Sequence, residues 1–209
     1  MSILTPAISG VDNIWMFMGI YLFSNILWLF GINGSSIVFP IVFALCISNT
    51  GINAELVNAG KEPTALINLQ MFRYVLIGGA GNTLGLVLLM CKSKSKHIRS
   101  IGRLSVLPGI CGINEPVVFG LPLVLNPIFA IPFILNSVIA AFIAVVATNI
   151  GFLTCGVLDC PPGLPVFVTG FISYGIHGII VQAIILIVTF IIWVPFVLMS
   201  NKQAKLEQK

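Results

Sequence analysis

The residues best suited to chemistry stand together in Gly112-Ile-Asn-Glu-Pro116. No Asp, Glu, Lys or Arg follows Glu115 for more than forty residues, so this acid sits at the edge of a long apolar stretch. A carboxylate at bilayer depth is expensive unless it is paired, hydrated or protonated, and acids in such places usually line pathways. Pro116 restrains Glu115 toward extended backbone. A non-helical Asn-Glu pair then directs side chains and free backbone groups into one cavity, an arrangement that suits a neutral, hydroxyl-rich ligand. The blander alternative sets Glu115 at the membrane interface, paired with Arg103 or simply preceding a helix-starting proline. Asn25, Asn33, Asn82, Asn114, Asn126, Asn136 and Gln182 complete the polar inventory. They are amides that both donate and accept, and each has the alternative role of helix cap or interhelical hydrogen bond. A cation pathway would show more buried acids.

The elements that must position these groups are membrane elements. The 209 residues are 58% apolar and only 8% charged, against roughly a quarter charged in an ordinary globular chain. Charge-free gaps of more than forty residues follow Asp12, Glu115 and Asp159. A bilayer core takes about 20 helical residues, so the pattern predicts an all-α, polytopic membrane domain spanning 1–209. It excludes a soluble enzyme, a disordered chain and a disulfide scaffold, the five cysteines being odd in number and scattered.

A first helix is expected from about Ile14 to Phe30. A break follows at Gly31-Ile-Asn-Gly-Ser-Ser36, then a second apolar element to about Ile47 and an extramembrane loop over the polar residues 49–70. Phe72 to Cys91 is apolar but carries Gly78, Gly79, Gly81 and Gly85, which weaken a helix and permit close backbone approach. This predicts a re-entrant hairpin. Prolines forbid one uninterrupted helix over 105–122, which predicts a second. A helix over about 124–154, a break at Asp159-Cys-Pro-Pro-Gly-Leu-Pro165 and a last helix from about Ile176 to Met199 complete the chain. Paired broken elements point to a substrate site near the midplane of a transporter. The run 92–103 holds Lys92, Lys94, Lys96, Arg99 and Arg103 with no acid, and reads as a cytoplasmic loop. The tail 200–209 belongs on the same side, which requires an even number of crossings between them.

The block Gly112-Ile-Asn-Glu-Pro-Val-Val-Phe-Gly-Leu-Pro-Leu-Val-Leu-Asn-Pro127 resembles the signature of the membrane IIC component of the lactose/cellobiose family of the sugar phosphotransferase system. Gly78-Gly-Ala-Gly-Asn-Thr-Leu-Gly-Leu86 is similar to that family's glycine-rich hairpin, and Trp28-Leu-Phe-Gly-Ile-Asn-Gly34 to its Phe-Gly-Ile-His-Gly break. The resemblance covers nearly the whole chain but only the C-terminal half of the family's usual length. It implies two re-entrant hairpins around a sugar site, with Asn114 and Glu115 at the sugar and Asn82, in the glycine-rich hairpin, as a further substrate-binding candidate. Asn33 falls where the family commonly has a sugar-contacting His; Asn can hydrogen bond a hydroxyl but takes up no proton near neutral pH. Gly112, where the family often has Asn, is a second departure.

The implied mechanism is group translocation of a β-linked disaccharide, cellobiose-like or lactose-like, phosphorylated by a phosphocysteine of a IIB subunit that is itself served by IIA. Glu115 is the candidate general base for the attacking hydroxyl, with plain sugar binding as its alternative role. The implied partners are the sugar, IIB, the missing N-terminal half or a second copy, and the lipid bilayer of a bacterial plasma membrane. The basic run has a further reading as a IIB docking surface. No cofactor, metal or nucleic acid is expected, and no nucleotide-binding glycine motif is complete. Two other classes remain open: a truncated structural or regulatory subunit without autonomous transport, and an intramembrane enzyme pairing Glu115 with His177.

Overall fold

The computed structural model describes residues 14–121 and 123–206, with side chains through Ser200. Pro122 and the side chains of the basic tail, 201–209, lie outside the described residues. Among the described residues the chain is helical, with no strand. Helix α1 (Ile14–Leu29) ends at Phe30-Gly31, where Ile32 N donates to Leu27 O and Gly31 N to Trp28 O. This pair of bonds needs a left-handed residue after the helix, and Gly31 supplies it at φ +78°. Asn33 then caps α2 (Gly34–Asn58), its side chain accepting from Ser36 N at 3.0 Å.

Helix α2 runs well beyond Ile47, so the expected loop over 49–70 is in its first part helix. The polar residues there turn inward. Asn49 donates to Ile67 O at 2.8 Å, and Asn53 donates to Ala65 O and Gly156 O while accepting from Thr64 N and Ala65 N. Both are buried. The chain over 61–68 has no regular structure, and these amides take the place of the hydrogen bonds that a helix would have supplied. Asn68 caps the short α3 (Leu69–Tyr74).

After α3 the backbone stays irregular through Gly78 and Gly79, makes a 3-10 turn at Ala80–Asn82 and enters α4 (Leu84–Cys91). Lys92–Ser95 is a turn, and Ser95 caps α5 (Lys96–Ile110). The basic run is therefore a turn plus the start of a helix, not a loop throughout. Lys92 and Lys94 of the turn and Lys96 and Arg103 of α5 are exposed, and Arg99 is half-buried with its Nε donating to Ser93 O, while Gly102 abuts α4 so closely that an added Cβ would lie 2.8 Å from the Met90 Cβ. Next come α6 (Glu115–Gly120), α7 (Pro127–Asn149) and α8 (Val166–Leu206). Tyr174 and Gly175 break α8 at the point where the last helix was expected to begin.

Helix α1 packs on α7, α7 on α8, and α4 on both α5 and α8. At the α4–α8 contact a Cβ on Gly85 would lie 2.9 Å from the Phe190 Cα; the small residue lets two apolar helices meet backbone to backbone. Gly34–Asn58, Pro127–Asn149 and Val166–Ser200 are each long and apolar enough to cross a bilayer. Their outer faces carry exposed large side chains such as Ile41, Phe142 and Ile187, as lipid-facing surfaces do.

Candidate functional site

The interruptions in α1–α2, in the glycine-rich segment and in α5–α6 converge on a cavity of about 730 Å³. Ligand sites for small molecules typically run about 300–1,000 Å³ with apolar walls and a few placed polar groups. Trp28 comes from the end of α1; Asn33, Ser35, Phe39 and Pro40 from the first break and α2; Phe72, Arg73, Gly79 and Ala80 from α3 and the glycine-rich segment; Cys111–Glu115 from the α5–α6 turn. The 160–164 segment and Gln182 of α8 complete the wall.

Glu115 faces this cavity, but as the first residue of α6 it is helical, not extended as expected before Pro116; the proline sits in the first turn, where its missing N–H costs no helix bond. Among the described residues no ion pair or hydrogen bond engages its carboxylate, and the alternative pairing with Arg103 is not formed. The backbone places it there: α5 closes with Ile113 N on Pro108 O and Gly112 N on Gly109 O, and the next residues start α6 in a new direction. Gly112 has φ +78°. This left-handed position is filled by Gly or, less often, Asn in helix ends generally, so the departure at Gly112 preserves the turn.

Asn114 is buried, with its amide donating to Ala80 O at 3.0 Å. It ties the two broken segments together. Gly79 completes the join, because a Cβ there would lie 2.8 Å from Gly112 O and 3.0 Å from the Asn114 Cβ. Asn33 is on the cavity wall while its side-chain oxygen is engaged as the α2 cap, which leaves its NH2 to meet a ligand.

Asn82 is placed differently. It is fully buried, is not part of the cavity wall, accepts from Ile77 N at 2.7 Å and approaches Asn136 O at 3.5 Å. Its φ is +47° and its own carbonyl accepts from the Trp193 indole. The structure thus sets Asn82 behind the cavity wall, within the glycine-rich turn, and does not bring it to the cavity that Asn33, Asn114 and Glu115 line. His177 is also away from the cavity, edge-on to Phe152 with ring centroids 4.8 Å apart, so the structure does not bring it to Glu115. None of the five cysteines is in a disulfide. Among the described residues no three His, Cys, Asp or Glu side chains are grouped to hold a metal ion.

Two cavity residues escaped the sequence reading of the site. Arg73 lies near the start of the run read as apolar from Phe72 to Cys91, and it pairs with Asp159 at 3.2 Å. Gln182 was one amide among several; it is buried, donates to Tyr74 O at 3.2 Å, and its carbonyl oxygen has no protein partner. Neither could be found by local spacing, because their partners lie roughly a hundred residues or less along the chain but on other elements.

A helical membrane domain with broken segments gathered round a polar-edged cavity is the architecture of a transporter. The description "Phosphotransferase system, EIIC" matches residues 1–137, and the chain belongs to that family. It is 32% identical to the PTS system cellobiose-specific EIIC component of Lactococcus lactis subsp. lactis (strain IL1403), over 94% of this chain and 45% of that protein. It is 34% identical to the PTS system lactose-specific EIICB component of Streptococcus mutans serotype c (strain ATCC 700610 / UA159), over 99% of this chain and 37% of that one. A solved structure, that of the transporter ChbC, the IIC component from the N,N'-diacetylchitobiose-specific phosphotransferase system, superposes with a TM-score of 0.91 at 30% identity. The match covers 99% of this chain and 49% of ChbC. The chain spans about half the length, or less, of the curated relatives it matches.

Proposed function

We propose that this chain forms the sugar-binding part of a phosphotransferase-system permease in a bacterial plasma membrane. It binds a β-linked disaccharide of the cellobiose or lactose type and presents it to a IIB subunit, which IIA rephosphorylates. The observation that carries the reading is the unpaired carboxylate of Glu115 on the wall of a cavity built where three elements break. An acceptor-only group beside the amides of Asn33 and Asn114 complements sugar hydroxyls, which donate and accept. Relatives specific for cellobiose and lactose support the sugar class, and a relative named as an EIICB component supports IIB as the partner.

In the proposed transfer, the oxygen of one sugar hydroxyl attacks the phosphorus of a IIB phosphocysteine. The S–P bond breaks, the thiolate leaves with IIB, and the hydroxyl proton passes to the Glu115 carboxylate. Binding and orientation by the cavity supply most of the rate in such a reaction. The glycine-rich segment and the α5–α6 turn act as re-entrant hairpins, with the basic run 92–103 on the cytoplasmic side. The chain works with further IIC sequence, supplied by another polypeptide or by a second copy.

The test is Glu115→Gln in membranes that also contain the complementary IIC half and phosphorylated IIB. Cellobiose binding and phosphorylation are expected to fall about 100-fold. Uptake and binding that tolerate the change would remove Glu115 from the site and this reading with it.

A further inference from the structure

Among the described residues that line the cavity, Arg73 is the only cation and Glu115 the only anion. Arg73 reaches the cavity from α3 and is fixed from two sides. Its Nη1 donates to Cys160 O and pairs with Asp159 Oδ1 at 3.2 Å, and its guanidinium carbon lies 5.6 Å from the Phe39 ring centroid. A cation over an aromatic face within about 6 Å is attracted by the ring. The side chain is only 22% exposed, so the pairing holds a charge that has lost most of its water.

A guanidinium has five N–H donors in a rigid plane. Both protein contacts use Nη1, and among the described residues none engages Nε or Nη2. A half-buried cation with unspent donors, locked in orientation and set in a cavity wall, is prepared for a ligand that accepts hydrogen bonds. The segment beneath it is anchored separately: Gln70 accepts from Leu158 N at 3.0 Å and Asn53 donates to Gly156 O at 2.8 Å. Holding that segment therefore does not require Arg73, which leaves the guanidinium's placement in the cavity to be explained.

We infer that Arg73 is a specificity-determining residue that donates from Nε and Nη2 to hydroxyl oxygens of the bound sugar, with Asp159 as its positioning residue. Donor-only Arg73 and acceptor-only Glu115 orient the sugar's hydroxyls in one sense across the cavity. The inference rests on the reading of this cavity as a sugar site.

The experiment measures binding of cellobiose and of its monodeoxy analogues to the chain assembled with its complementary IIC half, for the unsubstituted protein, R73K, D159N and E115Q. Lysine keeps the charge and the Asp159 pairing but loses the fork. R73K is expected to bind cellobiose about tenfold more weakly, and one or two deoxy analogues, those lacking the hydroxyls that Arg73 contacts, to bind R73K and the unsubstituted protein alike. D159N is expected to show a smaller loss, confined to the same hydroxyls, and it provides the test should R73K not fold. Undiminished binding in R73K, or a loss uniform over every analogue in either variant, overturns the inference and leaves Arg73 a latch for the 156–160 segment. Loss of binding in E115Q with none in R73K removes the inference alone. Binding insensitive to both removes the sugar-site reading as well.

Discussion

The two interruptions that meet beside the cavity, the glycine-rich 77–84 and the turn 111–116, differ in what they do with their polar groups. At 77–84 nearly everything is spoken for: Asn82 accepts from Ile77 N, Thr83 donates to Gly78 O at 2.6 Å, Gly81 N donates to Ser137 at 3.0 Å, and Trp193 donates to the Asn82 carbonyl. The segment is buried throughout. At 111–116, by contrast, Gly112 and Ile113 are exposed to the cavity, and Asn114 alone makes a side-chain bond, to the other break. Backbone groups freed by a break must be satisfied by protein or reached by water, and the two breaks differ in this respect: the first is packed in protein and the second is open to the cavity. A left-handed glycine, such as Gly78 in the one and Gly112 in the other, thus says where a helix stops, without saying what the stop is for.

Substitutions at equivalent backbone positions would break that comparison or sharpen it. The largest effect is expected for Gly78→Ala, at φ +83°, where an added Cβ would overlap the backbone nitrogen of Leu84. Left-handed strain plus a clash against backbone is expected to destabilise the fold by about 3 kcal/mol or more, read by denaturant unfolding in micelles. Next comes Glu115→Gln. Its expected loss of about 100-fold in sugar phosphorylation corresponds to about 2.7 kcal/mol of transition-state stabilisation, while unfolding shifts by under about 0.5 kcal/mol because the carboxylate has no protein partner to lose. A large stability change in that variant would mean that Glu115 is scaffold after all.

Asn82→Ala should behave in the opposite way. It removes the bond to Ile77 N, leaving that N–H only Val75 O at 3.1 Å, and sets alanine at φ +47°; the expected cost is about 2 kcal/mol of stability, with cellobiose affinity of the folded fraction unchanged, and an affinity loss without a stability loss would return Asn82 to the sugar. The smallest effect is expected at Gly112→Ala. Its φ of +78° nearly equals that of Gly78, but the nearest atom to an added Cβ is Leu76 O at 4.0 Å. Only the left-handed strain remains, about 1 kcal/mol, and Gly112→Asn should cost less still. If Gly78→Ala and Gly112→Ala proved equally mild, the distinction between a packed and an open break would fail.

Much of this architecture is written in local chemistry. The break between α1 and α2 follows from Gly31 and the capping Asn33, the start of the last straight helix from Gly175, and the turn before Glu115 from Gly112 and Pro116. The membrane setting follows from charge spacing alone. The polar stretch 49–70 was not legible, because a cluster of amides looks the same whether it faces water or the carbonyls of a folded-back chain. Burial of Asn49, Asn53, Asn68 and Gln70 decides for the second. Asn82 and Asn33 illustrate the same ambiguity within the candidate site: both are amides beside glycines, one sealed inside and one on the cavity wall.

What the sequence by itself determined is where the chain is apolar, where it must break, and that one acid stands at a break. Each of these is a property of a residue and its near neighbours: the cost of charge in hydrocarbon, the ring of proline, the missing side chain of glycine. Which break opens onto the cavity was decided by tertiary structure. So was the meeting of Arg73 with the Cys160 carbonyl, 87 residues away. Hydrogen bonds and ion pairs across elements depend on how helices pack, and no spacing along the chain encodes that distance.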